Sequence, residues 1–474
     1  MPSTVPAVLG SLVALMTKVL AHQFMGASWH TWRTLLRGVT EGLDHLDDDG
    51  RALVKALTGR ERLPDVLREL WIVAGRRSGK SIIAALLAIW AATCRTYRLA
   101  PGEVPVCMVV AADRRQARVI KRYIAGLLRS TPVLEALIAS ETRESIILAS
   151  GVVIEIHTAS FRTLRGYTVV FFAGDEVAFW DGEDSASPDR EILVAVRAAM
   201  ATVPDALLVM LSSPYARRGE VWKAFEKHHG RDDSPVLVVN APTTALNPTV
   251  AQSVIDAAYE DDEIAAAAEY GGEFRRDVER FLPLDVLEGA RMLGRLELPP
   301  LASVRYRAFV DPAGGTGADA FTLAIAHTDE RTQRQVLDVV REQRPPFSPE
   351  NTVQAFVSVL RQYQVREVTG DRYAGDWPAE QFRKCGVTYR PSERTKSEIY
   401  KDALPLLTSG RVELLDQPRL LKQLGALERR TGRSGRDAVD HPPRQHDDVA
   451  NAACGALALG VGGFEAFTMR ISGF

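Results

Sequence analysis

The chain has 474 residues, 46% hydrophobic and 25% charged, with a formal net charge of −2. That is an ordinary globular composition for two or three domains, and it provides no whole-chain field for nucleic acid, so any DNA contact has to come from local patches. Four well-separated cysteines, Cys94, Cys107, Cys385 and Cys454, exclude a zinc ribbon or a disulfide framework and fit a reducing compartment.

An apolar stretch at 5–16 is closed by Lys18 and His22, and a second apolar run, at 449–464, is Gly-rich. Both fall short of the ~20 residues of a membrane span, so no membrane partner is expected and the chain is read as cytoplasmic. Residues 1–60 read as a helical lead-in. From residue 70, short apolar runs at 70–74, 104–111, 152–157, 169–173, 206–211 and 235–239 alternate with helical stretches. Nearly continuous runs of strand length joined by helices predict a buried, mainly parallel sheet, and so an α/β domain over 61–245. Residues 246–300 follow as a helical linker or sub-domain, with Gly271 and Gly272 as punctuation. Strands are then predicted at 305–310, 320–326 and 335–340, a helix at 351–363 and a strand at 365–369. This order predicts a second, mixed α/β domain over 301–464, with 465–474 as a tail.

Ala74-Gly-Arg-Arg-Ser-Gly-Lys-Ser81 stands between the first of these strands and a helix. It fits G-x-x-x-x-G-K-[ST] at every position but the first, where Ala74 replaces glycine. In that setting the backbone of Gly75, Arg76, Arg77, Ser78 and Gly79 cradles the phosphates of ATP. Lys80 reaches the β- and γ-oxygens and Ser81 ligates Mg²⁺. Val169-Val-Phe-Phe-Ala-Gly-Asp-Glu176 reads as a buried strand that delivers Asp175 to the metal and Glu176 to the attacking water. Leu211-Ser-Ser-Pro214 ends the next strand, where Ser212 and Ser213 are candidates to sense the γ-phosphate; a plain Ser-Pro turn explains them about as well. Arg76, Arg162 and Arg165 are candidates to supply transition-state charge.

In the second domain, Asp311 and Asp371 sit at strand ends and Asp447-Asp448 open a helix. Carboxylates gathered in this way suit a two-metal phosphodiester centre, in which Mg²⁺ or Mn²⁺ ions ~3.5–4 Å apart stabilise the attacking and leaving oxygens. A helix cap at Asp447-Asp448 and an ordinary turn at Asp311 are the plainer explanations. A basic tilt between Arg383 and Arg444 fits a solvated surface as well as a DNA groove.

Taken together, these motifs resemble the large terminase subunit, the DNA-packaging motor of tailed bacteriophages. The resemblance rests on Gly75-Arg-Arg-Ser-Gly-Lys-Ser81, Arg165-Gly166, the strand ending in Asp175-Glu176, and Leu211-Ser-Ser-Pro214. It also rests on Asp311, Gly370-Asp-Arg372 and His446-Asp-Asp-Val449, and on Ala27-Ser-Trp-His-Thr-Trp-Arg33 ahead of the P-loop. It implies an N-terminal P-loop ATPase and a C-terminal ribonuclease H-like nuclease that package double-stranded DNA into a procapsid and cut it. Further implications are Arg76 as a finger acting in cis, Ser212-Ser213 as the coupling element, and metal ligation by Asp311, Asp371 and one or both of Asp447 and Asp448. The implied partners are DNA, the portal protein, the small terminase subunit and further copies of the chain in a ring, all in the host cytoplasm. Two other readings of the residues stand beside this one: a helicase-like translocase whose second domain only binds DNA, and a non-catalytic nucleotide-binding scaffold.

Overall fold

The computed structural model describes residues 10–159, 166–180, 188–371, 377–431, 437–443 and 445–460. The chain forms two compact units, the first running to residue 182 and resuming over 187–276, the second running from 277 onward. Residues 246–276 therefore pack with the first unit, and 277–300 with the second.

The first unit is built on eight strands: β1 (Glu69–Ala74), β2 (Pro105–Ala111), β3 (Ile138–Glu141), β4 (Ser145–Leu148), β5 (Val153–Thr158), β6 (Thr168–Asp175), β7 (Leu207–Ser212) and β8 (Val236–Ala241). Their order in the sheet is β3-β4-β5-β2-β6-β7-β1-β8. From β5 to β8 all neighbours are parallel, and β3 and β4 add an antiparallel edge. Every residue of β7 and all but the first of β1, β2 and β6 are buried. Burial on both faces is what makes these strands unbroken apolar runs in the sequence. Since β1, β7 and β6 are adjacent and parallel, their carboxyl ends share one edge, where open α/β sheets bind ligands.

The second unit holds β9 (Val278–Arg280), β10 (Arg291–Met292), β11 (Tyr306–Asp311), β12 (Phe321–Thr328), β13 (Gln335–Gln343), β14 (Glu367–Gly370), β15 (Thr388–Pro391), β16 (Val412–Leu415), β17 (Glu428–Thr431) and β18 (Asp437–Asp440). Its main sheet runs β10-β16-β13-β12-β11-β14-β15. β11, β12 and β13 are antiparallel, and β14 and β15 continue parallel to β11, the ribonuclease H-like arrangement. A small antiparallel sheet, β18-β17-β9, completes the unit.

Strand alternation decides what faces what. Tyr306, Ala308 and Val310 of β11 join a core with the helix Pro349–Gln362. Phe309 joins the opposite core, with the helices Lys396–Thr408, Pro418–Ala426 and Asp448–Ala458. Asp311, two residues beyond Phe309, shares the face of that last helix. The helix is buried from end to end, so its apolar run is core; among the described residues no helix is long and apolar enough to cross a membrane. Gly455 is what lets it lie so close to the sheet, because a Cβ there would stand 2.4 Å from the Phe309 ring.

Candidate functional site

The P-loop is held from three directions. Gly75 N donates to Ala241 O (3.2 Å) and Arg76 N to Glu269 O (2.5 Å). Thr243 Oγ1 and Asn247 Nδ2 donate to the carbonyls of Arg76 and Arg77, at 2.8 and 2.7 Å. From the helix His30–Glu41, the buried Trp32 donates its indole N–H to Ser78 O at 2.8 Å. Arg77 and Gly79 take positive φ, 64° and 95°, a turn geometry that gathers backbone N–H groups into an anion-binding concavity.

The irregular first position has a simple account. Ala74 is the last residue of an extended strand, where glycine's freedom is not needed. Gly75 is the position that must be glycine, because a Cβ there would lie 2.2 Å from Thr243 Oγ1. Ala74→Gly is expected to leave ATP affinity unchanged while lowering stability by roughly 0.5–1 kcal/mol, read from a nucleotide titration and a denaturation curve on the same protein.

Lys80 opens the helix Lys80–Cys94 and is only 4% exposed. Its ammonium donates to Ala74 O (2.8 Å), Gly75 O (3.0 Å) and Ser213 Oγ (3.1 Å), and it lies 3.7 Å from Glu176 Oε1. Burial pulls its pKa down, opposed by Glu176 and Asp175. Ser81 Oγ donates to Asp175 Oδ2 at 2.9 Å. Glu176, left-handed at φ 52°, accepts from Ser213 N at 3.1 Å. Ser212 Oγ accepts from Ala178 N (3.0 Å) and donates to Ser213 O (2.9 Å). Lys80, Ser81, Asp175, Glu176, Ser212 and Ser213 thus meet at one sheet edge, with Ser213 touching both Lys80 and Glu176. Arg76 pairs with Glu269 (3.1 Å) and is half-exposed; Arg162 and Arg165 lie outside the described residues.

The sequence reading missed Gln116, whose Nε2 donates to both Asp175 Oδ2 (2.8 Å) and Ser81 Oγ (3.2 Å). Asp113-Arg-Arg-Gln116 reads as an ordinary helix start, and Asp113 does accept from Gln116 N, so nothing in the pattern singles out the amide. Asp175 Oδ1 is buried with no hydrogen-bond partner among the described residues. Burial, then the charge of Glu176, pushes this carboxyl up to about 6. A desolvated all-oxygen pair with an orphaned carboxylate oxygen fits Mg²⁺.

In the second unit, Asn451 Nδ2 donates to Asp311 Oδ2 (2.8 Å) and reaches Asp371 Oδ2 (3.5 Å), so one amide spans the ends of β11 and β14. Asn451 lies one helical turn beyond Asp447-Asp448, and nothing in the motif marks it. Burial, reduced by that amide but reinforced by Asp448, Asp371 and Asp447, raises Asp311 well above the ordinary carboxylate range. Asn451 Oδ1 is buried without a hydrogen-bond partner among the described residues. The half-buried carboxylates of Asp311 and Asp371 and this orphaned oxygen form a hard donor set that fits Mg²⁺ or Mn²⁺.

The tandem acids divide. Asp447 does not cap its helix with its side chain; it accepts from Tyr400 Oη (2.7 Å) and pairs with Lys396 (3.1 Å). Asp448 accepts from Ala320 N (2.8 Å) and lies beside Asp319 and His446. Arg372 of the Gly370-Asp-Arg motif lies outside the described residues.

Burial, then the nearby acids Asp319 and Asp447, raises Asp448 to about 6. The sign follows from linkage. The native state binds the proton more tightly than the unfolded chain, with its ordinary value of ~3.9. The contribution to stability is therefore complete below pH ~4 and is lost as pH rises through about 6. Asp448→Asn keeps an acceptor for Ala320 N and carries no charge. In chelator it is expected to melt above the parent by a gap that opens between pH ~4 and ~6 and then levels, worth roughly 3 kcal/mol at neutral pH. Thermal scans of both proteins across that range check it.

No family model matches the chain, and no curated protein matches it in sequence. Solved structures do. The large terminase of bacteriophage HK97 is 14% identical, with 83% of this chain and 91% of that chain covered and a TM-score of 0.37. The large terminase of a thermophilic bacteriophage, solved with ADP, is 12% identical over 84% of this chain and 95% of that one, with a TM-score of 0.37. The large terminase nuclease of thermophilic phage G20c is 17% identical over 38% of this chain and 98% of that one, with a TM-score of 0.33. The chain is thus similar to phage large terminases, both to whole subunits and to a nuclease alone.

Proposed function

We propose that this chain is a large terminase subunit, an ATP-driven motor that moves double-stranded DNA into a viral procapsid and a metal-dependent endonuclease that cuts it. One observation carries the reading. Half-buried Asp311, with Asp371 and Asp448, gathers around the amino end of the last helix in a chain that also holds Lys80, Ser81, Asp175 and Glu176 at a single sheet edge. A phosphate cradle alone serves many proteins. Joined to desolvated carboxylates suited to phosphodiester hydrolysis, it favours a chain that both moves DNA and cuts it over a translocase or a scaffold.

In this reading Lys80 neutralises charge that builds on the β- and γ-phosphates, and Glu176, fixed by Ser213 N–H, orients the attacking water. Ser81 and Asp175 hold the Mg²⁺ of Mg-ATP, which supplies further charge neutralisation at the phosphate oxygens. Ser213 bonds Lys80 through its hydroxyl and Glu176 through its amide, so departure of the γ-phosphate is felt at the end of β7. Arg76, from the P-loop itself, is the arginine that acts in cis.

Asp311, Asp371 and Asp448 hold the Mg²⁺ or Mn²⁺ of the cutting centre, and Asn451 keeps the first two carboxylates turned toward each other. The grip on DNA is to its phosphates and weakens with salt. The portal protein, the small terminase subunit and neighbouring copies in a ring are the partners, met in the host cytoplasm. The purified chain is expected to hydrolyse ATP and to cut plasmid DNA with Mg²⁺ or Mn²⁺. A plasmid left intact with either ion would remove the nuclease half of the proposal, and absent ATP turnover the motor half.

A further inference from the structure

Of the acids around the start of the last helix, Asp447 already shares a cation with Asp440. Lys396 begins the helix Lys396–Thr408, whose start is fixed by a Thr395–Glu398 capping box. Its Nζ lies 3.0 Å from Asp440 Oδ1, and 3.2 and 3.1 Å from Oδ1 and Oδ2 of Asp447. Tyr400, one turn along, donates its hydroxyl to Asp447 Oδ2 at 2.7 Å. Asp440, His441 and Asp447 form one of the sets whose ligand atoms come within 4.8 Å of one another, and the ammonium contacts two of the three. Asp448 has neither a lysine nor an arginine partner among the described residues and belongs to the other such set, with Asp319 and His446. Asp447 is the non-helical residue before the helix (φ −131°, ψ 16°) and Asp448 is the first residue within it, so the neighbouring acids face different surroundings.

We infer that Lys396 is a built-in cation of the cutting centre: it occupies the Asp440–Asp447 pair, withholds Asp447 from metal, and leaves the divalent ions to Asp311, Asp371 and Asp448. The inference rests on the nuclease reading and refines its ligand set. A metal arriving at Asp447 would have to displace two charge-assisted hydrogen bonds and the Tyr400 hydroxyl. Lys396 also halves the charge of the pair it bridges, which lets a second acid stand beside Asp448 without an ion of its own.

The test counts Mn²⁺ bound to the full chain by calorimetry, without nucleotide, in parent and variants, so the P-loop site is common to all. Asp447→Asn is expected to bind as many ions as the parent, Asp448→Asn one fewer, and Lys396→Met one more, taken up by the freed Asp440, His441 and Asp447. Lys396→Arg keeps the charge and should restore the parental count. Loss of an ion from Asp447→Asn would overturn the inference, as would a parental count in Lys396→Met with a native circular dichroism spectrum. If Lys396→Met does not fold, the Asp447→Asn count decides alone. The counts are independent of cutting, so a parent that binds Mn²⁺ as expected but leaves plasmid intact would remove the nuclease reading and leave only the division of metal ligands standing.

Discussion

Lys80→Ala is expected to lower ATP turnover by roughly 10²- to 10³-fold, the loss typical of removing one preorganised charge-stabilising donor from a desolvated site. The ammonium stands on a buried platform of two main-chain carbonyls and the Ser213 hydroxyl, with Glu176 close by. That platform holds it in place before nucleotide arrives, so the interaction costs little reorganisation during reaction. Truncation removes the charge and leaves the loop's other supports: Trp32 on Ser78 O, Thr243 on Arg76 O and Asn247 on Arg77 O. ADP affinity is therefore expected to fall much less than turnover. Lys80→Arg is not expected to rescue, because a planar guanidinium does not fit a pocket shaped for a compact ammonium. Phosphate release over time, beside an ADP titration, separates the two effects. Equal losses in both would mean that Lys80 acts in ground-state binding only, and a parent with no turnover would favour the scaffold reading.

Much of the first unit was legible because parallel strands buried on both faces cannot disguise themselves. β1, β2, β5, β6, β7 and β8 all appear as apolar runs, with observed ends within a residue or two of those expected. The edge strands β3 and β4 were not legible. β3 is exposed at three of its four residues, so it carries no run, and its existence depends on pairing rather than on composition. The short strands β9, β10, β15, β17 and β18, each with at most one buried residue, escaped for the same reason, whereas β16 is buried at three of its four residues and is simply too short to stand out.

At the sites, residues whose chemistry is written into a motif were legible, and the amides that orient them were not. Gln116 and Asn451 are indistinguishable in sequence from helix-surface residues; only the fold reveals that each donates to two members of a candidate site. Asp447 and Asp448 could not be told apart by type or spacing. Lys396 and Tyr400, some fifty residues upstream, make the distinction.

Asp311→Asn should abolish metal-dependent cutting of DNA while leaving ATP turnover at the parental rate. A bound ion is worth several kcal/mol of transition-state charge stabilisation, so losing its central ligand corresponds to roughly 10³-fold or more in rate. Loss of fold is not the expected cause. Burial already raises the Asp311 carboxyl well above its usual range, which favours its neutral form, and asparagine is a close neutral mimic. The hydrogen bond from Asn451 Nδ2 is kept by the amide oxygen. In chelator at neutral pH the variant is therefore expected to melt above the parent, because only the parent's unfolded chain gains by ionising there, and added Mn²⁺ should raise the parent alone. At 100 times its dissociation constant an ion adds about 2.7 kcal/mol, roughly 5–10 °C for a unit of this size. The parent should show that rise and Asp311→Asn should lose it. The parental rise should also shrink as pH falls, since protonation competes with the metal for the Asp311 carboxylate. A variant that keeps the Mn²⁺ shift, or a parent that never shows one, would mean that Asp311 is a structural acid, and the cutting centre would have to be sought elsewhere.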